Sequence, residues 1–232
     1  MVDVTAYQRE KPGNHPPYLY PDYGSTVKRA PRRRLIPLEQ TLSEVTGPGP
    51  AWAGADAADL TRAGKGDPLG ERIIVAGRVL DENGRAVPGT VVELWQANSA
   101  GRYLHERDQH NAPLDPNFLG KGHVVSDADG NYRFLTVKPG AYPWRNARNA
   151  WRPQHLHFSV FGPAAATRLV TQMYFPGDPL LPLDSIYNST ADAEARVRLV
   201  AAYDPALSEA EFALGYRFDI VLRGRAQTPM DR

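Results

Sequence analysis

The sequence predicts an all-β sandwich that follows an extended N-terminal arm. β-rich segments recur after residue 70, and they are separated by many of the 20 Gly and 21 Pro residues. Apolar residues make up 42% of the 232 residues, enough to bury a sizeable core within one domain. We therefore expect a β-sandwich domain at residues 70–232 and a Pro-rich arm at residues 1–69.

The arm is expected to be extended because proline is concentrated in the first fifty residues. The segments HPPYLYPDYGS at 15–25 and TGPGPAW at 46–52 are unfavourable for helices. An extended arm needs a surface to lie on. That surface belongs either to the chain's own core or to a partner subunit, and the sequence does not choose between them.

The expected strands follow one another along the sandwich domain. ERIIVAGRVL at 71–80 ends in the turn DENG, and TVVELWQA at 90–97 comes next. GHVVSDADGNYRFLTVKPG repeats the pattern around a turn at 127–130. Three further strands are predicted, at 155–162, 168–175 and 216–224.

One short helix and one long loop complete the predicted fold. The helix is expected over 191–203, with Ser189 or Thr190 as its N-cap. The loop from Asn98 to Lys121 is long for a connection within a sandwich. Because long loops on a rigid core often carry functional residues, we expect part of the site there.

Composition excludes several classes of protein. The formal net charge of +1 gives no strong field for capturing nucleic acid or an anionic membrane. The chain has no cysteine, which excludes disulfides, thiolate metal sites and cysteine nucleophiles. No run of eighteen apolar residues is present, and the first residues lack the apolar stretch of a secretory signal. The sequence therefore predicts a cytoplasmic protein.

The strand HLHFSVFG contains two histidines separated by one residue. Since alternate residues of a strand face the same side, His155 and His157 are expected to point to one spot while Leu156 points away. This geometry suits a metal ion. On this pattern alone, a metal site and an incidental polar strand face remain equally plausible.

Two tyrosines are candidate partners of this pair. Tyr142 lies in PGAYPWRN, and Tyr103 lies in GRY within the long loop. A phenol ordinarily titrates near pH 10, so it becomes an anionic ligand only beside a strong Lewis acid such as Fe(III). The alternative is that both rings simply cap the core.

Several segments together resemble the intradiol ring-cleaving dioxygenase family. They are GRY, PGAYPWRN, WRPQHLHF and TQMYFPGDP. Two further segments, VVELWQAN before them and GYRFDIVLRG after them, match as well. The resemblance runs over nearly all of the chain, is strongest from 71 to 224, and points to the iron-binding subunit of the two-subunit members. It implies a transthyretin-like or immunoglobulin-like sandwich.

The resemblance also implies a mononuclear non-haem Fe(III) centre and its ligands. These would be Tyr103, Tyr142, His155 and His157, with Tyr142 the ligand that leaves when substrate chelates the iron. The implied reaction is the cleavage of 3,4-dihydroxybenzoate (protocatechuate) by O2 to 3-carboxy-cis,cis-muconate, in the β-ketoadipate pathway of aromatic catabolism. The implied partner is a homologous α subunit in an αβ hetero-oligomer.

Further residues take roles from the resemblance. Arg152 and Gln172 would stabilise the electron-rich ring and the developing oxyanions. Alternatively, Arg152 is a surface arginine and Gln172 a solvated strand residue. The substrate pocket would be lined by Tyr23, Trp144 and Ile186. Trp95 also matches a pocket position, but we expect it in the core, and Tyr174 is expected to support a ligand from behind.

Two other functions remain open at this stage. A self-sufficient catechol or hydroxyquinol dioxygenase would share the chemistry, but those relatives usually begin with a helical dimerisation region rather than a Pro-rich arm. A structural or adhesion module would share only the sandwich, because a fold alone does not fix function. Metal analysis and oxygen uptake distinguish the three.

Overall fold

The computed structural model describes residues 10–36, 57–148, 150–162 and 168–231. Most of the described elements are strands, as expected for an all-β protein. The strands are β1 (Arg72–Leu80), β2 (Val91–Trp95), β3 (Lys121–Val125), β4 (Asn131–Val137), β5 (Tyr142–Pro143), β6 (Trp151–Arg152), β7 (His155–Phe161), β8 (Arg168–Tyr174), β9 (Ala202–Tyr203), β10 (Leu214–Arg217) and β11 (Ile220–Val221). The short helices are α1 (Gly24–Arg29), α2 (Ser185–Ser189) and α3 (Ala193–Val197), with a 3₁₀ turn at Leu181–Leu183.

Two sheets and a small hairpin make up the architecture. In the first sheet, β1 pairs antiparallel with β4 and parallel with β10 and β11, and β9 extends β10. The second sheet is antiparallel in the order β3-β2-β7-β8. Strands β5 and β6 form a separate hairpin beside the second sheet's β7. The predicted sandwich is confirmed.

The core lies between the two sheets. Strand β7 buries Leu156, Phe158 and Val160 completely on its inner face. The Phe158 ring meets Phe134 of β4 at 6.5 Å between centroids, so side chains of both sheets interlock across the core. Because the residues that alternate with these three face the other way, the same strand presents His155 and His157 on its outer face.

The predicted turns pass the chain from one sheet to the other. In the turn between β3 and β4, the Asp127 carboxylate accepts hydrogen bonds from the amides of Asp129 and Asn131, and Gly130 adopts a φ of +77°. The turn after β1 has the same design, with Asp81 accepting from the amides of Asn83 and Arg85.

The C-terminal strand is interrupted, unlike the single strand predicted over 216–224. Between β10 and β11, the Asp219 carboxylate accepts the hydrogen bond of the Arg78 amide, so a side chain replaces a main-chain carbonyl in the ladder. Both β10 and β11 still pair in parallel with β1. The run of strand-favouring residues was correctly recognised, but the pattern of apolar residues does not reveal this break.

The helices differ from the sequence-based expectation in number and extent. The helix predicted over 191–203 exists only as α3, and its N-cap is Asp192, which accepts from the amide of Glu194, instead of Ser189 or Thr190. Helix α2 is capped in the same way by Asp184. In the part of the chain that the structure describes, none of the helices is long and apolar enough to cross a membrane.

The described part of the arm lies on its own chain. Asn14 is fully buried and donates from Nδ2 to the carbonyl of Gln227 at 3.1 Å, and its Oδ1 accepts from Arg198. Lys11 pairs with Asp192 at the start of α3. Leu60, also within the expected arm, is part of the core. The segment at 46–52 lies outside the described residues, and the division at residue 69 stays a prediction.

Candidate metal centre

Strand β7 places the two histidines on one face, as the alternation predicts. The ring centroids of His155 and His157 are 4.9 Å apart. Directly across the sheet, His155 is paired with Tyr174 and His157 with Gln172, so all four side chains share a face. His155 is only 2% exposed, while His157 is partly buried.

The long loop positions Tyr103 above these histidines. Asn98 shapes the start of the loop, because its Oδ1 accepts from the amides of Ala100 and Arg102. The amide of Tyr103 then donates to the carboxylate of Asp108 at 2.7 Å. These side-chain caps hold the backbone of a segment without regular secondary structure.

The hairpin of β5 and β6 supplies the second tyrosine. Tyr142 of β5 is paired with Arg152 of β6, so one short hairpin carries both side chains toward the histidines. The rings of Tyr142 and Tyr103 meet edge to face at 5.3 Å between centroids.

The four predicted ligands converge on one location. Tyr103 Oη lies 3.0 Å from His157 Nε2, and Tyr142 Oη lies 3.3 Å from His155 Nε2. Each imidazole thus contacts one phenol, and the two phenols contact each other. Four metal-ligating atoms from three separate segments therefore point into the same small space.

The protonation of the histidines suits metal binding. His155 Nδ1 donates to the carbonyl of Pro153 at 2.7 Å, so Nε2 is the nitrogen that carries the lone pair, and this lone pair faces Tyr142 Oη and Arg152 Nη1. Burial, with Arg152 and His157 as further causes, lowers the pKa of His155 well below its usual value. Burial and Arg152 lower the pKa of His157 to about 3. Both rings are neutral at neutral pH and are able to act as ligands.

The tyrosines decide which metal fits. Burial, followed by the proximity of Tyr142, raises the pKa of Tyr103 well above its usual value. Its phenolate therefore needs a strongly charged cation beside it. Within the described ranges, three or more His, Asp or Glu side chains nowhere form a metal cluster, so the phenols are needed to complete the set. Phenolate oxygen with imidazole nitrogen suits a hard cation such as Fe(III).

Arg152 is buried beside the candidate ligands, so the alternative of a surface arginine is wrong. It is 2% exposed, and its Nη1 lies 3.1 Å from His155 Nε2. Its Nη2 donates to Gln172 Oε1 at 2.7 Å and to the Tyr174 hydroxyl at 3.0 Å. Gln172 is likewise buried, at 3% exposed, and is no solvated strand residue. The Tyr174 ring lies against that of the candidate ligand His155, with centroids 5.9 Å apart, which is where a supporting residue is expected.

Sequence reasoning did not single out Asp184, which forms an ion pair with Arg152. The two side chains are 1% and 2% exposed, and Arg152 Nε donates to Asp184 Oδ2 at 2.8 Å. An Asp directly before Ser185 is a recognisable N-cap signal. The pairing with an arginine 32 positions earlier has no local signal in the sequence.

The predicted pocket residues lie around the same site. The ring of Tyr23 packs on Trp144 at 5.0 Å between centroids, and the Arg152 guanidinium lies over Trp144 at 5.3 Å. Ile186 is carried by α2, two positions after the N-cap Asp184, and lies close to Gln172 and Tyr174. A cleft of about 740 Å³ opens alongside, between the arm at Tyr20–Gly24, the loop at 145–148 and the start of α2.

Trp95 is placed differently from the core position expected for it. Strand β2 buries Val92 and Leu94, and Trp95 alternates with them onto the outer face. There its ring stacks on His157, with centroids 4.9 Å apart and planes 3° from parallel. Trp95 therefore fixes the plane of a candidate ligand.

Two family models match the chain. The model described as "Dioxygenase" matches residues 45–224, and the one described as "Protocatechuate 3,4-dioxygenase beta subunit N terminal" matches residues 7–41. The first spans the segments that carry all four candidate ligands. The second matches the predicted arm, including Tyr23.

Relatives with known names point the same way. The chain is 58% identical to the protocatechuate 3,4-dioxygenase beta chain of Burkholderia cepacia, over 94% of both chains. It is 30% identical to the protocatechuate 3,4-dioxygenase alpha chain of Pseudomonas putida, over 82% of this chain and 95% of that one. A solved hydroxyquinol 1,2-dioxygenase from Pseudomonas putida is similar in structure, with a TM-score of 0.54 and 26% identity, over 85% of this chain and 70% of that one.

Proposed function

Because the chain belongs to the intradiol ring-cleaving dioxygenase family, we propose that it is the beta chain of a protocatechuate 3,4-dioxygenase. The enzyme cleaves protocatechuate with O2 between its two hydroxyl-bearing carbons, giving 3-carboxy-cis,cis-muconate. The observation that carries this proposal is the convergence of two phenols and two imidazoles at one buried location. The similarity to the Burkholderia cepacia chain over 94% of its length supports the substrate.

The proposed ligands of a single Fe(III) ion are Tyr103, Tyr142, His155 and His157. When bound, Fe(III) supplies the Lewis acidity that binds a catechol through both oxygens and activates its ring toward O2. The neutral imidazoles offer their Nε2 lone pairs, and the two phenols offer hard oxygen atoms. Tyrosinate oxygens favour Fe(III) over Fe(II).

The other residues of the site bind the substrate, accept its protons and stabilise the negative charge that develops on its ring. Tyr142 Oη, which is only half-buried, is placed to accept a proton from a substrate hydroxyl. The Arg152 guanidinium, with Gln172 bonded to it, offers a fixed positive charge to the ring as it becomes electron-rich. Trp144, Ile186 and Tyr23 are proposed to form the slot that holds the aromatic ring.

A homologous alpha chain is the proposed partner in an αβ hetero-oligomer. The alpha chain of Pseudomonas putida aligns with 82% of this chain, so both subunits share the sandwich. Part of the substrate pocket is then contributed by the partner. The cytoplasmic location expected from the sequence stays a prediction.

Oxygen uptake by the co-expressed αβ complex tests the proposal. We expect consumption of one O2 per protocatechuate, with catechol and hydroxyquinol turned over far more slowly. Faster turnover of catechol or hydroxyquinol would identify a dioxygenase with a different substrate. Iron-free native protein without oxygen uptake would instead support the structural module.

A further inference from the structure

The carboxylate of Asp184 occupies a position that links two parts of the proposed site. It is 1% exposed, and its Oδ2 accepts from Arg152 Nε at 2.8 Å. Its Oδ1 accepts from the amide of Tyr187 at 2.8 Å and thereby caps α2, the helix that carries Ile186. One side chain thus connects the guanidinium with a wall of the substrate slot.

The contacts of Arg152 divide into those that hold the guanidinium and the one that faces the candidate ligands. Asp184 accepts from Nε, while Gln172 and Tyr174 accept from Nη2. Only Nη1 faces the candidate ligands, at 3.1 Å from His155 Nε2. Since a guanidinium is rigid and planar, fixing Nε and Nη2 also fixes where Nη1 points.

Asp184 is also the charge that compensates Arg152. Both side chains are almost completely buried, and the other groups that accept from Arg152 Nη2 are an amide oxygen of Gln172 and the hydroxyl of Tyr174, so Asp184 is the carboxylate that pairs with the guanidinium. A buried guanidinium without a carboxylate moves toward whatever negative charge or water it can reach. Here such a movement would displace Nη1 from its place beside the ligand cluster.

We propose that Asp184 is a positioning residue for the ring-cleavage reaction: it holds Arg152 in register with the iron ligands and ties that register to α2. The inference rests on the proposed function. It differs from a purely structural role, in which Asp184 would matter only as the N-cap of α2.

The substitution Asp184→Ser separates the two roles. Serine is as good an N-cap as aspartate, so the Tyr187 amide keeps an acceptor, but its short neutral side chain does not reach Arg152. The matched control is Asp192→Ser, which makes the same change at the N-cap of α3, where the ion-pair partner is the exposed Lys11.

In the co-expressed αβ complex, Asp184→Ser is expected to lower kcat about 10- to 100-fold per bound iron, with KM changed less than about threefold. Iron content and hydrogen exchange of the Tyr187 amide stay as in the parent protein, and Asp192→Ser leaves kcat unchanged. An unchanged kcat in Asp184→Ser would overturn the inference. So would a fall in kcat that is matched by iron loss or by faster exchange at Tyr187.

A double variant covers the case in which Asp184→Ser alone does not fold. Removing both partners of a buried ion pair is less destabilising than removing one, so Arg152→Gln combined with Asp184→Ser is compared with Arg152→Gln alone. If Asp184 acts through Arg152, the two proteins have the same kcat. A further fall in the double variant would refute the inference, whereas a parent complex inactive on protocatechuate would refute the proposed function instead.

Discussion

His155 has a hydrogen-bond partner on each ring nitrogen. Its Nδ1 is bonded to the carbonyl of Pro153, and its Nε2 is directed at Tyr142 and at Arg152 Nη1. The contact at Nδ1 leaves Nε2 for a metal ion, so it is able to hold the ring both before and after an ion binds. A site that is ordered before the ion binds loses little conformational freedom on binding.

Replacing His155 tests whether this ring is a ligand. In His155→Ala we expect iron content, visible absorption and oxygen uptake all to fall by roughly 100-fold or more, since even outer partners of metal ligands cost 10- to 100-fold. Iron analysis and an oxygen electrode measure the effects. His105→Ala is the control, because His105 is exposed in the long loop. Retained turnover in His155→Ala would exclude this ligand set.

Replacing Tyr103 is expected to change both the colour and the turnover of the protein. Tyr103→Phe removes a phenol whose oxygen lies against His157, and we predict a shifted and weaker visible band together with a lower kcat. The spectrum of iron-loaded protein is the measurement. An unaltered spectrum in Tyr103→Phe would show that this oxygen is not bound to the metal.

Two segments that carry candidate ligands touch each other at a glycine. Gly101 has a φ of +78°, and a Cβ placed there would collide with the carbonyl oxygen of Ala141, the residue before Tyr142. The loop that carries Tyr103 and the hairpin that carries Tyr142 therefore approach more closely than a side chain permits. The spacing of the two phenols depends on this contact.

Gly101→Ala is predicted to separate the two tyrosines. The collision lowers the free energy of unfolding by about 1–3 kcal/mol, in addition to the cost of placing alanine in a left-handed backbone conformation. Because the two phenols move apart, the iron-dependent colour is lost as well. Thermal unfolding and the visible spectrum report the two effects. Gly89→Ala is the matched control, with a φ of +67° and open space around it, and it costs only the backbone term of about 1–2 kcal/mol. Equal effects of both substitutions would contradict this account.

The hydrogen bonds between Asn14 of the arm and residues near the C-terminus are expected to contribute to stability. Asn14→Ala removes a buried side chain that bonds Gln227 and Arg198, and we predict a loss of about 1–3 kcal/mol in the free energy of unfolding. Denaturant unfolding measures it. Lys11→Ala, which removes two ion pairs of a solvent-accessible lysine, with Asp192 and Glu194, should have a smaller effect. The reverse order would mean that the arm is held by charge rather than by the buried amide.

Sequence patterns predicted those elements that are determined by residues close together in the chain. The alternation of β7 was sufficient to place His155 and His157 together, and the turn residues around Gly130 were sufficient to place a turn. Helix α1 was not foreseen, because the surrounding prolines favour extended chain. Its stabilising contacts, such as the Thr26 hydroxyl with the carbonyl of Tyr20, involve the fold of the arm itself.

Contacts between distant segments could not be predicted from patterns. Trp95 was expected in the core, and only the pairing of β2 with β7 shows that its ring faces His157. Likewise, Asp184 pairs with Arg152 across 32 positions of the chain, and only the folded structure brings the two together. Which of several equivalent acidic residues meets a buried arginine is decided by tertiary packing.

At the scale of the whole molecule, the chain is expected to depend on its alpha partner. Expressed alone, it should be poorly soluble or inactive; co-expressed with a homologous alpha chain, it should form an active complex with equal numbers of both. Light scattering after size exclusion, with oxygen uptake on each fraction, makes the comparison. A lone chain that is monodisperse and fully active would contradict this prediction.

The visible absorption spectrum of the purified αβ complex, recorded with its iron content, tests the central claim most directly. Two phenolates bound to one Fe(III) predict one iron per beta chain and a red-brown colour. The band is predicted to move to longer wavelength when protocatechuate is added without oxygen. A complex replete with iron but colourless, or a spectrum indifferent to protocatechuate, would contradict the proposed centre.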